Sequence, residues 1–309
     1  MKPKRADELT KQERENLSSY ISDVNADVFV ISNLNPEVVG AALARYSRAP
    51  TGLKETVVRE FLDQDGTPNE VKGSELIDRV VNKYGDESVA ELAVAPLCVE
   101  NVSNLMTKII EDCRIGGSPI EESTRYVLYD IKRDEQWRYV RPESIMKSGL
   151  AKVYIQTMDF LFETYAGLVE PMQNFFRKKL PASEFKIEVE RNNRVVLVGA
   201  DALENDNEKR AHRLAYGFTM RSAACDVLRC ILPASTKANM GIVGNGRFYS
   251  GLITKLLSQE LDEGWLLAEN IRKALETQIP TFIRRAEKND YLAENQSCIR
   301  QLSVDLFKD

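Results

Sequence analysis

Arg114-Ile115-Gly116-Gly117-Ser118-Pro119-Ile120-Glu121-Glu122-Ser123-Thr124-Arg125-Tyr126 sets two arginines, two serines and two carboxylates around a Gly-Gly turn. Upstream, Asn101–Cys113 carries apolar residues at 102, 106, 109, 110 and 113. That spacing predicts an amphipathic helix with one face in the core. Gly116-Gly117 ends it. Ser118-Pro119-Ile120-Glu121 then predicts a second helix, with Ser as N-cap, Pro at the first position and Glu at the third. Two readings of the stretch stay open. As a ligand site, Arg114 and Arg125 offer forked, charge-assisted donors to a phosphate, and the helix start adds free N–H groups and a positive dipole end. As plain structure, Ser118 and Glu121 form a capping box, and Arg114 complements the end of its own helix.

Working outward, Val28–Ser32 is a β-rich run and a predicted strand. Asn35-Pro36 starts a helix through Ala44-Arg45-Tyr46-Ser47, ended by Pro50-Thr51-Gly52. Leu53–Leu62 is predicted helical, 63–73 a polar loop, and Glu75–Lys83 a helix stopped by Tyr84-Gly85. On the other side, Leu150–Leu180 is a long helical stretch, broken near Pro171. Phe185–Glu190 and Arg194–Gly199 flank Asn192-Asn193 and predict a hairpin. Glu208–Ile231, stopped by Leu232-Pro233, is helical, as are Leu261–Ala274 and Thr281–Ala286. Asn245–Leu257 is apolar on nearly every side and predicts a buried helix. The expectation is a helix-rich α+β (α/β) chain with a small mixed or antiparallel sheet, folded as one domain over 1–309. Its central segment, about 130–215, is enlarged, and a mobile C-terminal tail covers about 287–309.

Bulk properties narrow the function. Apolar content of 43% and charged content of 29% are those of an ordinary globular protein. A net charge of −5 argues against a general nucleic-acid or membrane-surface role, which needs a basic face, though not against a local basic pocket. The five cysteines, Cys98, Cys113, Cys225, Cys230 and Cys298, form no Cys-x-x-Cys pair and read as buried, reduced thiols of a cytoplasmic protein, with no metal site. No apolar run approaches the roughly 18 residues of a membrane span. The start, Met1-Lys2-Pro3-Lys4-Arg5, is basic with no apolar region behind it and is expected to fray. His212 is the single histidine, which disfavours His-assisted nucleophilic catalysis and His-rich metal sites. Chemistry here falls to arginines, carboxylates or a cofactor.

Other constellations carry open alternatives. Glu91 stands just ahead of an apolar run, where a carboxylate needs a partner: a ligand hydroxyl, a helix cap or an arginine. Gly241, Gly244 and Gly246 do not follow the dinucleotide fingerprint. Asn245 is an N-cap for the buried helix. Arg247, near the start of that helix, is unfavourable for the dipole and needs an anion, either a ligand phosphate or a neighbouring carboxylate. Trp137, Tyr139 and Arg141 read as an exposed or partly buried strand and are assigned no function.

In order along the chain, Ala44-Arg45-Tyr46-Ser47, Gly85-x-x-Ser88-x-x-Glu91, Arg114 with Ser123-Thr124-Arg125-Tyr126, Arg229-x-x-Leu232-Pro233 and Asn245-Gly246-Arg247 resemble the flavin-dependent thymidylate synthases, also called thymidylate synthase complementing proteins. The resemblance covers roughly residues 35–130 and 220–285. It implies an α/β fold and a cytoplasmic homotetramer with sites between subunits. It also implies one-carbon transfer from methylenetetrahydrofolate to C5 of dUMP, with FAD as cofactor and NADPH as reductant. No enzyme nucleophile is needed. By the resemblance Glu121, Ser123, Thr124, Arg125 and Arg229 contact dUMP. Ser47, Ser88, Glu91, Arg114, Asn245 and Arg247 fall on the flavin side, and Arg125, Arg229 and Arg114 are the arginines closest to the chemistry. The implied partners are small nucleotides and folates, not nucleic acid or membrane.

The chain departs from the family pattern. Where the family has Arg-His-Arg, this sequence reads Asp112-Cys113-Arg114, with eight residues rather than seven before Ser123. The family's histidine ahead of Ser88 is Asp86, and its glutamine one turn before the triplet falls at Ile109 or Ile110. A family asparagine falls at Gly251 and a nucleotide-binding arginine at Leu256. Each lost charge-assisted bond costs about 1.5–3 kcal/mol, unless Lys108, Lys237 or Lys255 compensates. Two alternatives follow: a non-catalytic nucleotide-binding homologue or subunit without flavin, and a relative that hydroxymethylates a pyrimidine nucleotide.

Overall fold

The computed structural model describes residues 9–308. The basic start at 1–5 lies outside them. Helices α1 (Lys11–Ser18), α2 (Pro36–Tyr46), α3 (Leu53–Thr56) and α4 (Glu70–Ile77) come first, α3 and α4 each running on into a π-helical turn, Val57–Phe61 and Asp78–Lys83. Strand β1 (Val94–Ser103), helix α5 (Asn104–Glu111) and strand β2 (Gly117–Glu121) follow. Next come α6 (Glu143–Met146), α7 (Ala151–Lys179), the strands β3 (Lys186–Arg191) and β4 (Arg194–Gly199), and α8 (Asp206–Leu228). The chain continues with β5 (Lys237–Asn245), α9 (Gly246–Leu257), α10 (Asp262–Leu275), α11 (Pro280–Ile283) and α12 (Asp290–Leu306). The result is a helix-rich α+β protein with small antiparallel sheets.

Local chemistry accounts for many boundaries. Asn35 caps α2 by accepting from Glu37 N, with Pro36 at the first helical position. Gly85 leaves the π-helical turn with φ of +74°, a conformation that glycine adopts at little cost. Asn192 and Asn193 both take positive φ in the two-residue turn between β3 and β4, and the strands pair antiparallel from Lys186–Gly199 to Arg191–Arg194.

Several expectations fail. Val28–Ser32 is no strand; a single bridge joins Ile21 and Ile31, and Val28 is exposed. The loop 63–73 is shorter than expected, because Asn69 caps α4 from Glu70. Asn101 does not begin a helix: β1 runs to Ser103, and α5 starts at Asn104. Ser118-Pro119-Ile120-Glu121 lies in β2, so no capping box forms there. Pro171 leaves α7 unbroken. It is exposed, and the carbonyl its ring crowds belongs to Gly167, four residues earlier. The segment expected as a tail is mostly the helix α12, capped by Asn289. Only Cys225 of the five free cysteines is buried.

The three-stranded sheet has the order β1-β5-β2. Contacts divide the chain into two compact units whose boundaries fall within these three strands and within α5. The first takes the described residues of Met1–Val99, Lys108–Ile120 and Met240–Asp309. Its core joins α2 to α4 and α9 to α10. Glu37 is buried yet satisfied: its carboxylate accepts from Ser74 Oγ (2.6 Å), Thr281 N (2.6 Å) and Thr281 Oγ1 (3.0 Å). The second unit takes Glu100–Thr107 and Glu121–Asn239. Its core is aromatic, built from Tyr129, Trp137, Tyr139, Phe162 and Tyr165 with Val169 and Leu228. Trp137 and Tyr139, expected in an exposed or partly buried strand, are therefore fully part of the core. Ring pairs at centroid separations of 5.6–6.5 Å fill this core.

Candidate functional site

The residues singled out in the sequence fall into two sets, each inside one unit. Glu121, Ser123, Thr124, Arg125 and Arg229 belong to the second unit; Ser47, Ser88, Glu91, Arg114, Asn245 and Arg247 belong to the first.

In the second unit the chain leaves β2 at Glu121, and Glu122 N donates to Asn239 O at 2.7 Å. The next residues form a turn around Ser123: its carbonyl accepts from Tyr126 N and Val127 N, and its hydroxyl accepts from Arg125 N at 3.3 Å. This turn presents Arg125 outward. Its guanidinium forks onto Asp226 of α8, Nε to Oδ1 at 2.7 Å and an Nη to Oδ2 at 3.0 Å. The hydrogen bond from Arg125 holds the Asp226 carboxyl below the ordinary carboxylate value, and the same contact raises Arg125. Arg229 is exposed, and its charge also acts on Asp226. Tyr126 stacks on Phe218 with centroids 5.6 Å apart and planes at 23°. An arginine has five N–H donors. Asp226 takes two from Arg125, so the remainder stay available for an anion. Behind this surface Arg138 and Glu122 form a buried forked pair at 2.7 and 3.1 Å, with the guanidinium 4.7 Å from the Tyr129 ring.

In the first unit most of the flavin-side set is engaged within the chain. Ser47 Oγ donates to Ala44 O at 2.9 Å. Asn245 caps α9, its side chain accepting from Phe248 N at 2.9 Å. Ser88 Oγ donates to Asp86, which also receives Arg48; both hydrogen bonds, that of Ser88 first, hold the Asp86 carboxyl low. Arg247 donates to Glu91 at 2.5 Å and lies 3.8 Å from Glu87. Its anion is thus a carboxylate of its own chain. Arg114 is exposed beyond α5, and Lys108 pairs with Asp112.

A cleft of about 300 Å³ opens beside Arg247. It is lined by Arg247, Ser250, Gly251 and Thr254 of α9, with Asn82, Glu87, Phe282 and Arg285. Asn82 is 7% exposed, and its carbonyl oxygen has no hydrogen-bond partner. A second, more open cleft of about 500 Å³ is lined by Arg45, Arg59, Lys72 and Arg79 with Glu60 and Glu75. Sequence reasoning missed Asp226, Asp86's partner Arg48, and Asn82. Asn82 had a readable signal, a polar residue directly after the apolar Val80-Val81; the ion-pair partners had none. Among the described residues no cluster of three or more His, Cys, Asp or Glu side chains is arranged to hold a metal. No described helix is long and apolar enough to cross a membrane.

A sequence profile of the family described as Thymidylate synthase complementing protein matches residues 29–281. A UPF0159 protein of Chlamydia pneumoniae is 34% identical over 292 residues, covering 91% of this chain and 50% of the relative. A UPF0159 protein of Thermoplasma acidophilum is 35% identical over 245 residues, covering 79% of this chain and 47% of the relative. The chain spans about half the length of the curated relatives it matches. Among solved structures, the flavin dependent thymidylate synthase of Helicobacter pylori complexed with FAD and dUMP is 17% identical, with a TM-score of 0.42 over 82% of this chain and 96% of that one. A UMP/dUMP methylase of Streptomyces cacaoi bound with 5-Br dUMP is 15% identical, with a TM-score of 0.46 over 80% and 88%.

Proposed function

The chain belongs to the thymidylate synthase complementing protein family, and from that membership we propose that it is a flavin-dependent transferase acting at C5 of dUMP. The one-carbon donor is methylenetetrahydrofolate, the cofactor FAD, the reductant NADPH and the product dTMP. The observation that carries this reading is the profile match over 29–281, which takes in every matching block in order, from Ala44–Ser47 to Asn245–Arg247.

The chain's own residues have assignable tasks. Arg125, oriented by Asp226, and the exposed Arg229 offer guanidinium donors to the nucleotide phosphate. Ser123, Thr124 and Glu121 hold polar positions beside them for the sugar and base. In the first unit the cleft beside Arg247 has a mixed lining that suits a polar ring: Ser250 and Thr254 hydroxyls, the Arg247 and Arg285 cations, the Glu87 carboxylate and the Phe282 ring. Bound FAD supplies the hydride that reduces the transferred carbon. Ser47, Ser88, Glu91, Arg114, Asn245 and Arg247 are the flavin-side positions, with Arg114 the cation free to meet the pyrophosphate. A cytoplasmic homotetramer is part of the same proposal.

A specific observation favours a second reading, a nucleotide-binding homologue without flavin. Asp112-Cys113 stands where two basic residues are expected, and Lys108, Arg247 and Arg48 are committed to Asp112, Glu91 and Asp86. The absorbance spectrum of the purified chain, before and after incubation with FAD and gel filtration, separates the two. Co-eluting flavin absorbance supports the transferase. Nucleotide binding by calorimetry with no flavin retained supports the second reading.

A further inference from the structure

The more open cleft, of about 500 Å³, lies wholly within the first unit, and none of the residues assigned above to nucleotide or flavin lines it. Its lining comes from α2, from the π-helical turn that follows α3, and from α4 with its own π-helical turn. Four cations, Arg45, Arg59, Lys72 and Arg79, stand there with two carboxylates, Glu60 and Glu75, in a chain whose net charge is −5. Arg45 spends only its Nε–H, on both oxygens of Glu60 at 2.8 and 3.1 Å, so among the described residues both its Nη groups remain free to donate. Arg59 is tethered through one Nη, at 2.6 Å, to Glu55, a buried carboxylate outside the lining. Lys72 and Arg79 are exposed, and their side chains make no ion pair or hydrogen bond among the described residues. Two helical turns separate them, a rise of about 10 Å. Phe61, 2% exposed, and the half-buried Leu76 add apolar surface between the charges.

Two guanidinium groups fixed by carboxylates, with donors to spare, and two cations with no partner are the complement of a small polyanion. We infer that this cleft binds a ligand with linked phosphoryl groups, either free polyphosphate or the di- or triphosphate chain of a nucleotide. Guanidinium forks match phosphoryl oxygens two at a time. Lys72 and Arg79 are too far apart along the helix for one phosphate to engage both, so at least two linked groups are required. The volume is that of a small-molecule site. Glu75 lies on the same helix, three residues after Lys72 and four before Arg79, and opposes an anion there. Its repulsion selects for a ligand with more than one negative charge. This site is separate from the proposed reaction and does not depend on it.

Isothermal titration calorimetry of the full chain with inorganic phosphate, pyrophosphate and tripolyphosphate tests it. The two polyphosphates are expected to bind about tenfold or more tightly than phosphate, and to weaken as salt rises. Lys72→Ala and Arg79→Ala are each expected to weaken polyphosphate binding about tenfold, and Glu75→Gln to tighten it. Neither cation holds a carboxylate, so both alanine variants should keep the melting temperature of the parent chain. Arg125→Ala separates this cleft from the proposed nucleotide site and should leave polyphosphate binding unchanged. In that Arg125→Ala chain, ATP distinguishes the two sources. Tighter binding than tripolyphosphate assigns the cleft to a nucleotide, and equal or weaker binding assigns it to the phosphate chain alone. No polyphosphate binding, phosphate as tight as pyrophosphate, polyphosphate binding that survives the double variant Lys72→Ala/Arg79→Ala, or binding lost in Arg125→Ala would each overturn the inference.

Discussion

Arg125 and Asp226 lie 101 residues apart and meet in a forked ion pair. Asp226 both orients the arginine and competes with any phosphate brought to it. Arg125→Ala is therefore expected to weaken dUMP binding about tenfold or more, whereas Asp226→Asn should strengthen it, as isothermal titration calorimetry would register. The pair also sets an acid limit. Asp226 has a lowered value in the folded chain, so its contribution to stability is present above the ordinary 3.8 and is lost as pH falls below that through the folded value. Asp226→Asn should flatten the fall in melting temperature over that acid window. Tyr129 gives the opposite sign. Burial, with the Glu122 carboxylate second, pushes its phenol up from 10.0 to about 12, so stability from its neutral form is lost as pH rises from about 10 through 12. Its hydroxyl has no hydrogen-bond partner, so Tyr129→Phe should be near neutral at pH 7 and should protect the fold at pH 11. At this scale the sequence singled out Arg125 and Arg229 as candidates, but not the carboxylate that holds Arg125. Glu122 read as one letter of a polar stretch, but it is the buried partner of Arg138. Arg138→Met should destabilise by about 3–5 kcal/mol in denaturant unfolding, because it strands that carboxylate.

At the scale of elements, the instructive difference is β2. Ser118-Pro119-Ile120-Glu121 has the spacing of a capping box, a preference worth roughly 1 kcal/mol. Pairing with β5 outweighs it: β2 edges the three-stranded sheet, and Phe248 covers Gly117 so closely that an added Cβ would lie 2.4 Å from the ring. Gly117→Ala should cost about 1–3 kcal/mol through overpacking, measured by denaturant midpoint. Elements whose signals are local were legible. Asn35-Pro36 opens α2, Asn245 caps α9, and Asn192-Asn193 turns the hairpin as expected. Elements that depend on partners remote in sequence were not. β1 alternates buried and exposed from Val94 to Val99, yet its last residues carry the helical spacing that was extended backwards from α5. The Trp137 and Tyr139 segment reads as an exposed or partly buried strand by alternation, and both side chains are buried against Phe162 and Tyr165 of α7 and Leu228 of α8.

For the whole molecule, two units share a chain that crosses their boundary inside β1, α5, β2 and β5. Neither unit can melt without ending three strands partway. A single transition in scanning calorimetry is expected, and two resolved transitions would count against the single-domain proposal. The family was legible because its blocks sit at separate places along the chain and keep their order; no block alone was specific. The state of those blocks was not legible. Asp86, where the family has histidine, draws in Ser88 and Arg48, and Arg247 is answered by Glu91. The most direct test of the central claim is tritium release from 5-³H-dUMP by the purified chain with FAD, methylenetetrahydrofolate and NADPH, under anaerobic conditions. The account predicts release that requires flavin and is lost in Arg125→Ala. No release with all components present and dUMP bound would contradict it.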